Sequence, residues 1–200
     1  MGATNLKAWV INLDERPDRM ELFKENKFPF EVERFSAIKA DPGWVGCTRS
    51  HLEILSKSKL PVLIFEDDFV FIESWAEVEK AMSQLPEDWD ALYLGATLMK
   101  PVERYSENLF RIKEGLCAYA IIFNSRRIVD YIINNFDKFE TPICKTIDVF
   151  YAYDVQQKFN CFVVHPLIGT QRPGYSDIEK RVTDYTQITE LFKIHADSTK

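Results

Sequence analysis

Leu60-Pro61-Val62-Leu63-Ile64-Phe65-Glu66-Asp67-Asp68 is an apolar run that stops in three consecutive carboxylates. A short, continuous apolar run of this kind reads as a strand buried on both faces. Such strands belong to α/β sheets covered by helices, so this stretch sets the fold class. Packing does not explain its acidic end, because unpaired carboxylates there are costly unless solvent, hydrogen-bond donors or a cation stabilise them. In open α/β sheets the carboxyl ends of the strands form the rim where ligands bind. Hard divalent cations of the Mg²⁺ type use one or two carboxylates together with substrate phosphates. The triplet therefore reads either as a metal-assisted site for a phosphorylated ligand or as an acidic turn after a strand.

Working outward, Ala8 to Leu13 reads as a first strand, with Pro17 suited to the first turn of a helix over Arg16 to Asn26 and Asp14 as its cap. Phe30 to Ala37 is a second strand, and Asp41-Pro42-Gly43 a turn. From Gly46 to about Ser58 the pattern is helical, with Cys47, His51 and Leu55 on one stripe. Ser74 and Glu77 have capping-box spacing before a helix whose Val78, Ala81 and Met82 share a face. Strands follow at Ala91 to Gly95, Cys117 to Phe123 and Cys161 to His165. Helices follow after Asn124, which can cap the first, and over Ile147 to Phe159. Met99 to Phe110 and Gly169 to Asp177 read as loops. This alternation predicts one α/β domain over residues 1–200, with a mostly parallel central sheet flanked by helices. The core spans about residues 8–179, and a tail helix follows at about 183–195.

A hydrophobic content of 46% in 200 residues suffices for a substantial core. The net charge of −6 argues against broad nucleic-acid binding, which needs a basic footprint. The four cysteines form no C-x-x-C pair, so a zinc cluster is not expected. With no signal-peptide pattern, no apolar stretch long enough to span a bilayer and no N-x-S/T acceptor, the expectation is a reduced cytoplasmic protein.

Several blocks together resemble glycosyltransferase family 25, which contains lipopolysaccharide and procollagen galactosyltransferases. They are Val10-Ile11-Asn12-Leu13-Asp14 with Arg16 and Arg19, Gly46-Cys47-Thr48-Arg49-Ser50-His51, Leu63 to Asp68, and Tyr93-Leu94-Gly95. Cys117-Ala118-Tyr119-Ala120, Ile147-Asp148, His165-Pro166-Leu167-Ile168, Gln171 and Tyr175-Ser176-Asp177-Ile178 complete the series in the family's order. The resemblance implies a GT-A-like fold, a UDP-sugar donor, Mn²⁺ or Mg²⁺, a glycan or glycoprotein acceptor, and transfer of a hexose with inversion.

On that reading Asp68 is the first metal ligand, with Glu66 or Asp67 assisting. Glu66 and Asp68 project to one side if the backbone stays extended, and Asp67 to the other. His165, held extended before Pro166, is either a further ligand or a packed strand-end ring. Asn12, Leu13, Arg16, Arg19, Ser50, His51, Asp67 and Gln171 are the donor-side candidates, although His51 shares the apolar stripe and equally suits a structural role. Asp148 is the first candidate for general base, or else a helix-start carboxylate, and Asp177 is the alternative. A nucleotide-sugar binding module without turnover and a metal-dependent phosphohydrolase are the competing functions.

Overall fold

In chain order, β1 (Lys7–Asn12) leads through α1 (Pro17–Phe23) to β2 (Glu33–Ser36), and α2 (Gly43–Lys57) leads to β3 (Val62–Glu66). A turn joins β3 to β4 (Phe69–Phe71), followed by α3 (Trp75–Met82) and β5 (Ala91–Tyr93). The short strands β6 (Thr97–Leu98), β7 (Glu103–Arg104), β8 (Leu109–Arg111) and β9 (Gly115–Leu116) come next. After β10 (Ala120–Phe123) and α4 (Arg126–Asn135), one helical stretch contains α5 (Ile147–Phe150), a π-helical segment (Tyr151–Val155) and α6 (Gln156–Lys158). The chain ends with β11 (Cys161–Val164), β12 (Gly169–Gln171), β13 (Gly174–Ser176), β14 (Arg181–Thr183) and α7 (Thr186–Asp197). This computed structural model describes residues 6–142, 144–184 and 186–197. Among the described residues, no helix is long and apolar enough to cross a membrane.

The central sheet has eight strands in the order β2-β1-β3-β10-β5-β11-β8-β7. Its α/β class agrees with the sequence reading, but the expectation of a mostly parallel sheet does not hold. Three pairings are parallel (β1 with β2, β1 with β3, β5 with β11) and four are antiparallel. A parallel neighbour needs a crossover connection, usually a helix, whereas an antiparallel neighbour needs only a return. No helix lies between β5 and β10, so β10 enters the sheet against both β3 and β5.

Helices cover both faces, and alternate residues of each strand serve opposite layers. Ile64, Ile121 and Val163 pack with Leu55 of α2, Ile128 and Ile132 of α4, and Phe150 of α5. Leu63, Phe65, Ile122 and Phe162 pack with Phe23 of α1 and Trp75, Val78 and Ala81 of α3. Two buried faces are the reason these strands read as continuous apolar runs.

Several local expectations shift. Residues 99–110 hold β7 and the start of β8, and residues 169–177 hold β12 and β13. Helix α4 is capped by Ser125, whose Oγ accepts from the Ile128 N–H at 3.4 Å, while Asn124 donates to the Trp89 carbonyl. Asp14 caps nothing; it pairs with Arg34 and Ser36 instead. Ser74 is the N-cap of α3 without a side-chain hydrogen bond, so the capping box does not close.

Asp90 ties three elements together at the opposite end of the sheet from the triplet. Its fully buried carboxylate accepts from Ser125 Oγ and Arg127 Nε of the α4 start, and from the Asn160 N–H before β11. Hydrogen bonds to a charged group are worth about 1.5–3 kcal/mol each, net of solvent. Asp90→Asn should therefore lower stability by about 2–3 kcal/mol. In urea unfolding it should move the midpoint and leave the slope unchanged; an unaltered midpoint would remove Asp90 from this role.

Candidate functional site

Strand β3 carries its alternation as far as Glu66. Ile64 faces the α2 side, and Glu66, two residues on, reaches α2 itself. There Glu66 Oε1 stands 3.3 Å from His51 Nε2 and 3.5 Å from Cys47 Sγ. The strand then ends, and a turn carries Asp67 and Asp68 the other way. Arg19 of α1 spans them, donating from Nη1 to Asp67 Oδ1 at 2.7 Å and from Nη2 to Asp68 Oδ2 at 3.2 Å. The expected grouping of Glu66 with Asp68 is thus replaced by Asp67 with Asp68, because the backbone stops being extended at the point where alternation would have sorted them.

The remaining oxygens have unequal support. Asp67 Oδ2 accepts from Asn12 Nδ2 at 2.7 Å. Asn12 also donates to the Arg16 carbonyl and accepts from Arg34 Nε at 2.8 Å, which makes it a buried hub joining the ends of β1 and β2 to the acidic turn. The β4–β12 pairing sets Gln171 opposite Phe69, beside Asp68. From there Gln171 Nε2 reaches Asp68 Oδ1 and Oδ2 only at 3.4 and 3.3 Å, and its buried Oε1 has no hydrogen-bond partner.

Arg19, Glu66, Asp67, Asp68 and Gln171 line a cleft of about 400 Å³. Ile11, Leu13, Ala37 and Ile38 form an apolar part of its wall, and Arg16, Arg19, Lys39 and Lys180 supply positive charge. Residues 37–40 are held by α2 through a close approach: a Cβ on Gly46 would lie 2.1 Å from the Ile38 carbonyl oxygen. Ser50 reinforces this contact by accepting from the Ile38 N–H at 2.9 Å and donating to the Gly46 carbonyl. Across the cleft, Asp177 pairs with Arg16, which also donates to Asp18.

Of the residues singled out from sequence, Leu13, Arg16, Arg19, Glu66, Asp67, Asp68, Gln171 and Asp177 meet at this cleft. Asn12, Ser50 and His51 lie behind its wall as buried supports. His165 is not gathered with them: its ring meets Phe110 edge-on at 4.8 Å and stacks on Phe192. It follows β11, which lies three strands away from β3 in the sheet. Asp148 does not line the cleft either; it accepts from Thr146 Oγ1, the Val149 N–H and, at 3.3 Å, the Cys117 N–H. That is the arrangement of a helix-start carboxylate. Lys39 and Lys180 were not legible as site residues, because each is a surface lysine in sequence and joins the cleft only through tertiary contact.

Burial raises the Asp67 carboxyl above its usual range, opposed by Arg19 and Asn12. Asp68 is pushed up to about 7, chiefly by burial and then by the Glu66 charge, with Arg19 opposing. Burial, then the neighbouring Glu66 carboxylate, also pushes up the Cys47 thiol.

No protein-family model and no curated protein matches the chain. Among solved structures it is similar to A197 from STIV, at 14% identity and a TM-score of 0.44, over 88% of this chain and 92% of that one. A likeness of that size carries no argument about function.

The Asp68 shift has a measurable sign. A carboxyl whose folded pKa lies above its unfolded value of 3.8 favours the folded state at low pH and loses that contribution as pH rises towards about 7. In chelator, the protein should therefore lose stability between pH 5 and 7, with Asp67 acting in the same direction. Asp68→Asn should flatten this slope and match or exceed the parent's Tm at pH 7. Arg19→Met, which leaves two largely buried carboxylates without their cation, should steepen it, costing about 3–5 kcal/mol where both are ionised. A Tm independent of pH across this window in the parent would contradict the assignment.

Proposed function

We propose that this chain is a metal-dependent UDP-sugar hexosyltransferase of the family 25 type, moving galactose or glucose to a hydroxyl of a glycan or modified protein side chain with inversion. The observation that carries the reading is the Asp67–Asp68 pair, clamped by Arg19 at the end of β3 and opening onto a cleft with further cations. Blocks of the resemblance that are far apart in the chain, around residues 11–19, 66–68, 171 and 176–178, line this same cleft.

The donor set suits a hard divalent ion. Asp68 Oδ1 has only a long contact from Gln171, and the Gln171 Oε1 beside it is buried without a partner, so oxygen ligands are present with unused capacity. Asp68, Asp67 and Gln171 are the residues that would hold Mn²⁺ or Mg²⁺. When bound, such an ion supplies positive charge to the diphosphate leaving group. Arg19 keeps both carboxylates oriented, and Arg16, Lys39 and Lys180 offer charge-assisted hydrogen bonds to phosphate oxygens. The apolar wall of Ile11, Leu13 and Ile38 suits the flat face of a base.

In the transfer, the acceptor oxygen bonds to the anomeric carbon from the face opposite the diphosphate, whose bond to that carbon breaks. The acceptor proton passes to a carboxylate. Asp177 lines the cleft, whereas Asp148 is occupied by its own helix start and the Cys117 backbone. Asp177 is therefore the base carried forward.

A screen of UDP-sugars with Mn²⁺, reading UDP release with and without acceptors, tests the activity. UDP should raise the Tm clearly with Mn²⁺ and little in chelator, and Asp68→Asn should abolish both transfer and this linkage. Equal stabilisation by UDP in chelator would mean that the basic side chains alone hold the diphosphate.

The two candidate bases separate in the same assay. Asp177→Asn should lower turnover by about 10²–10⁴-fold while Mn²⁺–UDP affinity holds or rises, because the change also releases Arg16 to the phosphates. Asp148→Asn should lower stability instead, and a selective loss of turnover in that variant would reverse the assignment.

A further inference from the structure

The sorting of the acidic triplet leaves Glu66 apart from the Asp67–Asp68 pair, in company that a hard-cation site does not call for. Its Oε1 lies 3.3 Å from His51 Nε2 and 3.5 Å from Cys47 Sγ, and the ligand atoms of all three residues lie within 4.8 Å of one another. Cys47 and His51 sit one helical turn apart on α2, and Glu66 ends the strand that this helix covers.

We propose that Cys47, His51 and Glu66 form a binding site for a borderline-soft divalent cation of the zinc class, in the floor of the cleft and distinct from the Asp67–Asp68 pair.

Three features support it. The first is geometric. With ligand distances of about 2.3 Å for sulfur and about 2.0–2.1 Å for nitrogen and oxygen, a tetrahedral ion needs an N–O edge of about 3.3–3.4 Å and sulfur edges of about 3.5–3.6 Å. Two of the three edges already have these lengths. The Cys47–His51 edge is the one that closes on binding, to about 3.6 Å.

The second is charge. Among the described residues no lysine or arginine pairs with Glu66, since Arg19 is committed to Asp67 and Asp68, and the neighbours of Glu66 are the His51 ring and the Cys47 thiol. A cation placed among Cys47, His51 and Glu66 supplies the positive charge that this corner lacks, and displaces the thiol proton as it binds.

The third is access. Cys47 and Glu66 both line the cleft, so a fourth position opens to solvent or ligand, as in a zinc site with three protein ligands. A thiolate and an imidazole in place of carboxylates select zinc-class ions against Mn²⁺ and Mg²⁺.

His51 Nδ1 is buried without a hydrogen-bond partner, so the ring lacks the outer acceptor that usually fixes a ligating histidine. Such partners are worth about 10–100-fold in affinity, so this site binds correspondingly more weakly than one that has them.

The test is titration of the metal-stripped full chain with Co²⁺, on a Cys144→Ser background that removes the exposed thiol. One equivalent should bring up a thiolate-to-cobalt charge-transfer band and the intense visible bands of four-coordinate cobalt, both displaced by Zn²⁺ but not by Mn²⁺. Cys47→Ser, close to isosteric, should abolish the charge-transfer band while circular dichroism reports a retained fold. His51→Gln should weaken Co²⁺ binding at least tenfold. Asp68→Asn should leave the spectrum intact. Absence of the band in the parent, its survival in Cys47→Ser, or its loss in Asp68→Asn would overturn the proposal. None of these outcomes depends on glycosyl transfer, so the transferase reading stands or falls separately.

Discussion

The guanidinium of Arg19 is the contact on which the arrangement of the cleft depends. Asp67 and Asp68 are adjacent, largely buried carboxylates, and two like charges so placed favour protonation or unfolding unless a cation lies between them. Arg19 meets both with its two terminal nitrogens, and a planar fork does this where a lysine ammonium would act as a single point charge. Because Arg19 belongs to α1, its grip also fixes that helix against the end of β3. Asn12 extends the grip to β1 and, through Arg34, to β2.

A clamp of this kind does not neutralise the site completely. Asp68 stays raised to about 7 despite Arg19, since burial and the Glu66 charge outweigh the one cation. A bound cation of the kind proposed would favour the ionised form that burial disfavours. On the other side of β3, Glu66 meets a histidine and a thiol. The turn that follows β3 separates these two clusters, although three consecutive residues provide all the carboxylates.

Much of the molecule was legible in local sequence. The apolar runs at 62–65, 91–93, 120–123 and 161–164 are strands, and the stripe of Cys47, His51 and Leu55 does lie along one side of α2. Pro17 begins α1 as its fixed φ suggests. The errors share one origin. Cys117 belongs to an apolar run that predicts strand, but its φ of 72° keeps it out of β10. Asp14, Asn124 and Ser74 have capping chemistry, yet their side chains cap no helix. Asp14 and Asn124 found partners distant in sequence, Arg34 and the Trp89 carbonyl, and those interactions prevailed over the local ones.

By itself, the sequence determined the α/β class and the position of the acidic turn at a strand end, while the candidacy of Arg19 and Gln171 beside Asp67 and Asp68, all of which line one cleft, came with the resemblance. Periodicity and composition report the faces of an element and its ends, and those are local properties. Only the tertiary structure decided that β10 runs antiparallel between β3 and β5, that Asp68 joins Asp67 rather than Glu66, and that His165 packs among aromatic rings away from the carboxylates. Strand order depends on how a connection returns to the sheet, and the company of a side chain depends on elements far away in the chain. Neither is encoded in the spacing of nearby residues.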